Sequence, residues 1–308
     1  MADSTSPSQV LLLSQPRTAC HLLERVLSKQ PNVKYLNHPL VAARPAQVAM
    51  LSDESVANDI PQKLRDAHAD LVNEAMKTWE AALKEANDKG KTLFVHDHPH
   101  FALSPHRALE FLSARTSDDL ARTAGSGNFT LVRDDLLLRP GTVPILTFRH
   151  PALVVPAIYR AMLKTEKSVT KSTVPVSCYA WLRHLYEFFV SNGITPVPVE
   201  AEDYMSSEEF SRHLATKAGL NPENCIFKWE KWAKEQQQQM PQVVRELLQT
   251  LINSDGLLPE KVVRRVSIEE EAPKWKQEFG DGVGTWLEEI ALRSMTNYEF
   301  LLSKKLRL

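Results

Sequence analysis

Phe94-Val-His-Asp-His-Pro-His100 places three histidines and an aspartate within five residues, directly after a short apolar run. An imidazole titrates near neutral pH, so His98 or His96 could serve as a general base, with Asp97 beside it to contact substrate. His96, His98 and His100 also alternate, which in an extended chain would turn three rings to one side as metal ligands. Pro99 interrupts such a strand and no second ligand cluster accompanies it, so no metal is assigned. Ordinary strand-end histidines would give the same pattern. Ser14-Gln-Pro-Arg-Thr-Ala-Cys-His21 is the second candidate, between an apolar run and a helical one. Free N–H groups at a helix N-terminus attract phosphate or sulfate. Arg17 adds a fixed cation, Thr18 a hydroxyl or a cap, and His21 a further acid–base group. Cys20 sits where a helix start lowers a thiol pKa. The nucleotide triphosphatase P-loop is excluded, because its glycines and Lys-Ser/Thr pair are absent. Arg149-His-Pro151 repeats the theme of an arginine after an apolar run. A second such arginine suggests a doubly anionic ligand.

The elements that would hold these residues alternate between strand and helix. Val10–Ser14, Asn32–Leu36, Thr92–Val95, Pro144–Phe148 and Thr195–Val199 read as strands, the prolines of the last marking an edge position or a strand start. Helical patterns follow at Thr18–Leu27, Ser52–Lys91, Arg107–Ala124 (closed by Gly125-Ser-Gly127), Trp181–Val190, Ser207–Gly219 and Trp286–Lys304. Buried strands alternating with helices predict the α/β class, a central parallel sheet flanked by helices. One domain is expected over 1–308, with a flexible start at 1–9 and an exposed, glutamine-rich helical insert at 231–262. The polar stretch Lys164–Pro175 could cover the substrate.

The 308 residues carry 37 basic and 38 acidic side chains, a formal net charge of −1. No global basic field exists to hold nucleic acid or an anionic membrane, so any anion must be bound locally. Three distant cysteines make neither a disulfide framework nor a zinc ribbon. With no signal-peptide pattern and no long apolar run, a cytoplasmic protein is expected.

In order and spacing, these segments resemble the P-loop sulfotransferase superfamily, especially its divergent fungal branch, often found with secondary-metabolite genes. The resemblance covers most of the chain. It implies that Ser14–Leu23 is the loop for the 5′-phosphosulfate of 3′-phosphoadenosine 5′-phosphosulfate (PAPS), with Arg17, Thr18, Ala19 and Cys20 against it. It implies that His98 is the base, and that Arg149 and the position of Ala157 meet the 3′-phosphate. Leu182–Tyr204 resembles the family's next helix–strand unit, and Trp275-Lys-Gln-Glu-Phe279 its C-terminal Trp-Lys-x-x-Phe. The chain departs from the family pattern in several places. Ala19 stands for the loop glycine, Cys20 and His21 for hydroxyl residues, His96 for the lysine before the base, and Ala157 for a serine. Glu269-Glu-Glu271 lies where animal members carry a basic loop.

Two enzymatic functions follow. One is sulfuryl transfer from PAPS to a hydroxyl of a small metabolite, with Arg17 and the helix start stabilising the transferring group and Tyr159 and Tyr179 near the acceptor. The other keeps the fold without PAPS. It uses Arg17, His21, His96 and His98 for dehydration, isomerisation or cyclisation of a small metabolite. A non-catalytic binding protein is the third possibility. The sequence leaves the oligomeric state and the choice between His96 and His98 open.

Overall fold

The run Gln9-Val-Leu-Leu-Leu-Ser14 forms strand β1, buried along its whole length. Val10 and Leu12 pack with Leu22, Leu23 and Val26, while Leu11 and Leu13 pack on the other face with Trp79 and Leu83. Burial on both faces explains why the run is continuous rather than alternating. Each such side chain contributes about 1.5–3 kcal/mol relative to exposure. The computed structural model describes residues 6–52, 60–113, 127–165 and 176–308. Beyond β1 it contains β2 (Val33–Asn37), β3 (Thr92–Asp97), β4 (Thr142–Phe148) and β5 (Val197–Glu200). They make one five-stranded sheet in the order β2-β3-β1-β4-β5, parallel throughout. β5 is an edge strand, where Pro198 costs no ladder bond.

Helix α1 (Cys20–Ser28) follows β1 directly. A 27-residue helix, Gln62–Asp88, lies on one face, where the Trp79 indole N–H donates to Gln9 Oε1 at 3.1 Å. Helices Pro151–Thr165, Ile268–Phe279 and Asp281–Lys304 share a separate apolar cluster built on Val155, Trp275 and Leu287. The order of the strands reverses about β1, so the carboxyl ends of β1, β3 and β4 border the crevice where parallel sheets bind ligands.

The structure gives local detail for three of the expected stretches. Residues 7–9, expected to be flexible, are anchored: Thr92 Oγ1 donates to Pro7 O at 2.9 Å and Ser8 N to Gly141 O at 3.0 Å. The glutamine-rich insert forms three short helices, Lys234–Gln239, Gln242–Leu247 and Gln249–Ile252, and Leu251, Leu257 and Val262 near it pack back against the core. The stretch read as one helix over Ser52–Lys91 is described as Arg44–Ser52 and Gln62–Asp88. Residues 1–5 of the expected flexible start, and residues 53–59, 114–126 and 166–175, lie outside the described residues. So do most of the Arg107–Ala124 helix, its Gly125-Ser126 end and most of the Lys164–Pro175 cover.

Candidate functional site

Parallel pairing brings Ser14, His96, Asp97 and His38 to one place, because Leu13 stands opposite Asp97 and Asn37 opposite His96. The His38 N–H donates to His96 O at 2.7 Å, extending the ladder one residue past β2. His38 does this with a left-handed backbone (φ 42°). Asp97 is fully buried and accepts from Leu40 N and His98 N, both at 2.7 Å. Burial raises its carboxyl to about 7 despite those two bonds. Asp97 therefore braces the strand ends rather than facing a substrate.

Ser14 is the hub of this cluster. Its hydroxyl lies 3.1 Å from His96 Nε2 and 2.9 Å from His98 Nδ1, and its carbonyl lies 2.9 Å from the same Nδ1. A carbonyl can only accept, so His98 carries its proton on Nδ1. Its Nε2 is then the unprotonated nitrogen, and no described residue bonds to it. His98 is half-buried. Burial, together with His38, His100 and His96, holds its pKa well below the ordinary value, so the ring is neutral.

His96 has both nitrogens committed. Nδ1 lies 3.4 Å from Glu24 Oε2, and Nε2 faces Ser14. Burial and then the neighbouring His38 lower its pKa to about 3. Glu24 also accepts from His21 Nδ1, at 3.2 Å. Burial opposes its charge, but the hydrogen bonds from His21 and His96 prevail and hold the carboxyl below its ordinary range. His38 completes the group, its ring centroid 4.2 Å from that of His96 and 5.0 Å from that of His21. His100 does not join an alternating row of ligands. Pro99 opens a 3₁₀ turn, and His100 packs against Phe101 and Trp181.

The loop after β1 turns through left-handed backbone at Arg17 (φ 66°) and Ala19 (φ 55°). This kind of turn, at the start of α1, points successive amides at an anion. The φ at Ala19 is one that glycine adopts freely. Relief of about 1–2 kcal/mol of left-handed cost, against about 0.5–1 kcal/mol of added chain entropy, makes Ala19→Gly neutral to mildly stabilising. A urea melt checks this, and a clear loss of stability would mean that the methyl group packs usefully. The side chains of Thr18 and Cys20 turn inward. Thr18 Oγ1 donates to Gln15 O at 2.7 Å and contacts Thr147 Oγ1, so it does not face the crevice. Cys20 is buried, and burial raises its thiol pKa, which opposes the lowering expected at a helix start. Arg17 is exposed, with Nη1 donating to Leu247 O of the insert at 3.1 Å.

Arg149 is not free to receive a phosphate. Its Nε donates to Glu202 Oε1 at 2.7 Å and its Nη2 to Lys261 O at 3.0 Å. Glu202 is buried, its Oε2 lacks a partner among the described residues, and burial raises its carboxyl pKa above the ordinary value. The loop keeps the left-handed backbone that suits an anion, whereas the Arg149 end, already neutralised and with no hydroxyl at Ala157, does not fit a 3′-phosphate as it stands. Tyr179 is buried and its hydroxyl donates to the Arg149 carbonyl, so it positions that segment. Tyr159 packs between Phe279 and Trp286 at the far side of the helix Pro151–Thr165, away from the histidines. Glu269–Glu271 occupy the first turn of the helix capped by Ser267, where negative charge is favoured.

Ser14, Glu24, His38 and Glu202 are the site residues that the sequence reading did not single out. The available signal was a repeated dipeptide: His38-Pro39, His98-Pro99 and His150-Pro151 each follow a strand.

No family model matches the chain. It is 25% identical to the sulfotransferase ppzF of Metarhizium rileyi over an alignment of 336 residues, covering 99% of this chain and 98% of that one. It is 26% identical to the sulfotransferase ppzF of Metarhizium majus, covering 99% of both. A solved sulfotransferase from Alicyclobacillus acidocaldarius aligns with 80% of this chain and 96% of its own, at 9% identity and a TM-score of 0.41. The chain is thus sulfotransferase-like over its full length. Among the described residues, no helix is long and apolar enough to cross a membrane.

Proposed function

We propose that this chain is a single-domain cytoplasmic enzyme that transfers a sulfuryl group to a hydroxyl of a small, secondary metabolite. The observation that carries this reading is the tautomer of His98: Nδ1–H is fixed by the Ser14 carbonyl, leaving the lone pair of Nε2 at the carboxyl edge of the sheet without a partner among the described residues. A neutral imidazole held in this way can take the proton of an acceptor hydroxyl. Arg17 and the amides of the left-handed loop would meet the developing negative charge in this reading. PAPS, when bound, would supply the sulfuryl group.

The Arg149–Glu202 pair favours a second reading, acid–base chemistry without PAPS in the same histidine pocket. Calorimetric titration with 3′-phosphoadenosine 5′-phosphate separates the two. Micromolar binding that Arg17→Ala weakens by about tenfold or more supports sulfuryl transfer, since loss of a charge-assisted bond costs about 1.5–3 kcal/mol. Absence of binding by a folded protein removes it. The affinity should also depend on pH. Acidification protonates Glu202, whose carboxyl pKa is raised, and this releases Arg149 for the ligand. Binding is therefore expected to tighten as pH falls, and Glu202→Gln should remove that component. A pH response identical in Glu202→Gln and wild type would sink the assignment.

A further inference from the structure

His21, His38 and His96 come from α1, the end of β2 and β3, yet one ring nitrogen of each lies within 4.8 Å of the others. The Nδ1 atoms of all three turn to carboxylates. His21 Nδ1 and His96 Nδ1 lie 3.2 and 3.4 Å from Glu24 Oε2, and His38 Nδ1 lies 3.6 Å from Asp97 Oδ1. A carboxylate opposite Nδ1 selects the tautomer protonated there and leaves Nε2 as a lone pair. The Nε2 atoms of His21 and His38 then face each other at 3.4 Å. Two opposed lone pairs repel unless something positive lies between them. The other tautomer of His38 leaves a bare Nδ1 buried 3.6 Å from Asp97 Oδ1, with no hydrogen-bond partner among the described residues. Two nitrogens bound at 2.0–2.1 Å to a tetrahedral zinc ion stand about 3.3–3.4 Å apart.

We propose that His21, His38 and His96 bind a divalent transition-metal ion of the zinc class through Nε2, with Glu24 and Asp97 orienting the rings. Ser14, now bonded to His96 Nε2 at 3.1 Å, would turn its hydroxyl to Asp97 O, 3.3 Å away. Three neutral imidazoles suit zinc, nickel or copper rather than magnesium or calcium. Three protein ligands also leave the fourth position of a tetrahedral ion open, as in catalytic rather than structural zinc sites. This trio differs from the alternating His96, His98 and His100, because Pro99 turns the chain before His100 and the missing ligands come from other elements. The site does not depend on whether PAPS is bound.

The test uses the full chain, stripped by chelator and dialysed, then titrated with zinc(II) against a competing chelator and with cobalt(II) by visible absorption. One ion per chain is expected, with the intense visible bands of four-coordinate cobalt. His21→Ala should weaken binding at least 100-fold, and Glu24→Gln should weaken it by about 10–100-fold through loss of orientation. His106→Ala, on an exposed helix, should bind as the wild type does. His38→Asn provides a second ligand deletion, since asparagine tolerates left-handed backbone. Circular dichroism and thermal melts establish that each variant is folded. Two outcomes overturn the proposal: no stoichiometric ion at micromolar metal, or equal affinity in wild type and His21→Ala. Loss in His106→Ala instead would assign the ion to the surface.

Discussion

His98→Asn is expected to lower turnover by about 10²–10⁴-fold, the usual contribution of a positioned general base. Asparagine keeps an N–H that can reach the Ser14 carbonyl, so the loop and strand end stay in place while the base is removed. The measurement is sulfuryl transfer from PAPS to a panel of phenolic and aliphatic hydroxyl acceptors, with 3′-phosphoadenosine 5′-phosphate affinity measured alongside. Affinity should change little, which separates loss of a proton acceptor from loss of the pocket. His96 provides the comparison. Both its nitrogens are engaged inside the protein, by Glu24 and Ser14. His96→Asn strands those partners and should cost about 1–3 kcal/mol of stability. If His96→Asn removed turnover from a fully folded protein while His98→Asn did not, the base would be His96.

Arg149→Ala should destabilise the molecule by about 3–5 kcal/mol, because it leaves a buried charge uncompensated. Both side chains of the pair are largely shielded, with 15% of Arg149 and 6% of Glu202 exposed. The double variant Arg149→Ala/Glu202→Gln removes the stranded charge and should recover most of the loss. Urea melts of the two single variants and the double variant measure this coupling. Glu202→Gln alone has the opposite use. It frees Arg149 and should tighten binding of 3′-phosphoadenosine 5′-phosphate by about tenfold, or 1.4 kcal/mol. The double variant should then lose that gain. If Arg149→Ala leaves both stability and binding unchanged, the ion pair is neither a support nor a gate.

The strands were legible because each is a short apolar run bounded by punctuation, and Pro198 marked the edge before any pairing was known. His98 and the loop from Ser14 were legible because they follow such runs directly. Glu24 was not, since in sequence it is one charged residue in an amphipathic helix, and only the fold sets it against His96. His38 stood alone after a weak strand whose partner lies 59 positions later, Val33 opposite Thr92 and Lys34 opposite Leu93. Glu202 read as one of several acids at a helix start, while its partner lies 53 positions earlier. Arg149 and Thr18 were found as residues but misjudged in availability, because a hydroxyl or a guanidinium offers no sign in sequence that a neighbour has already claimed it.

Arg17, Ala19 and His38 carry left-handed backbone without being glycine, and all three border the same crevice. At about 1–2 kcal/mol each, together they hold on the order of 3–6 kcal/mol against the rest of the fold. This region should therefore be the first part of the sheet to open. In native-state hydrogen exchange, the amides at the carboxyl ends of β1 and β2 should exchange through local openings well below the free energy of global unfolding. The middle of β1, sealed on both faces, should exchange only when the whole molecule unfolds.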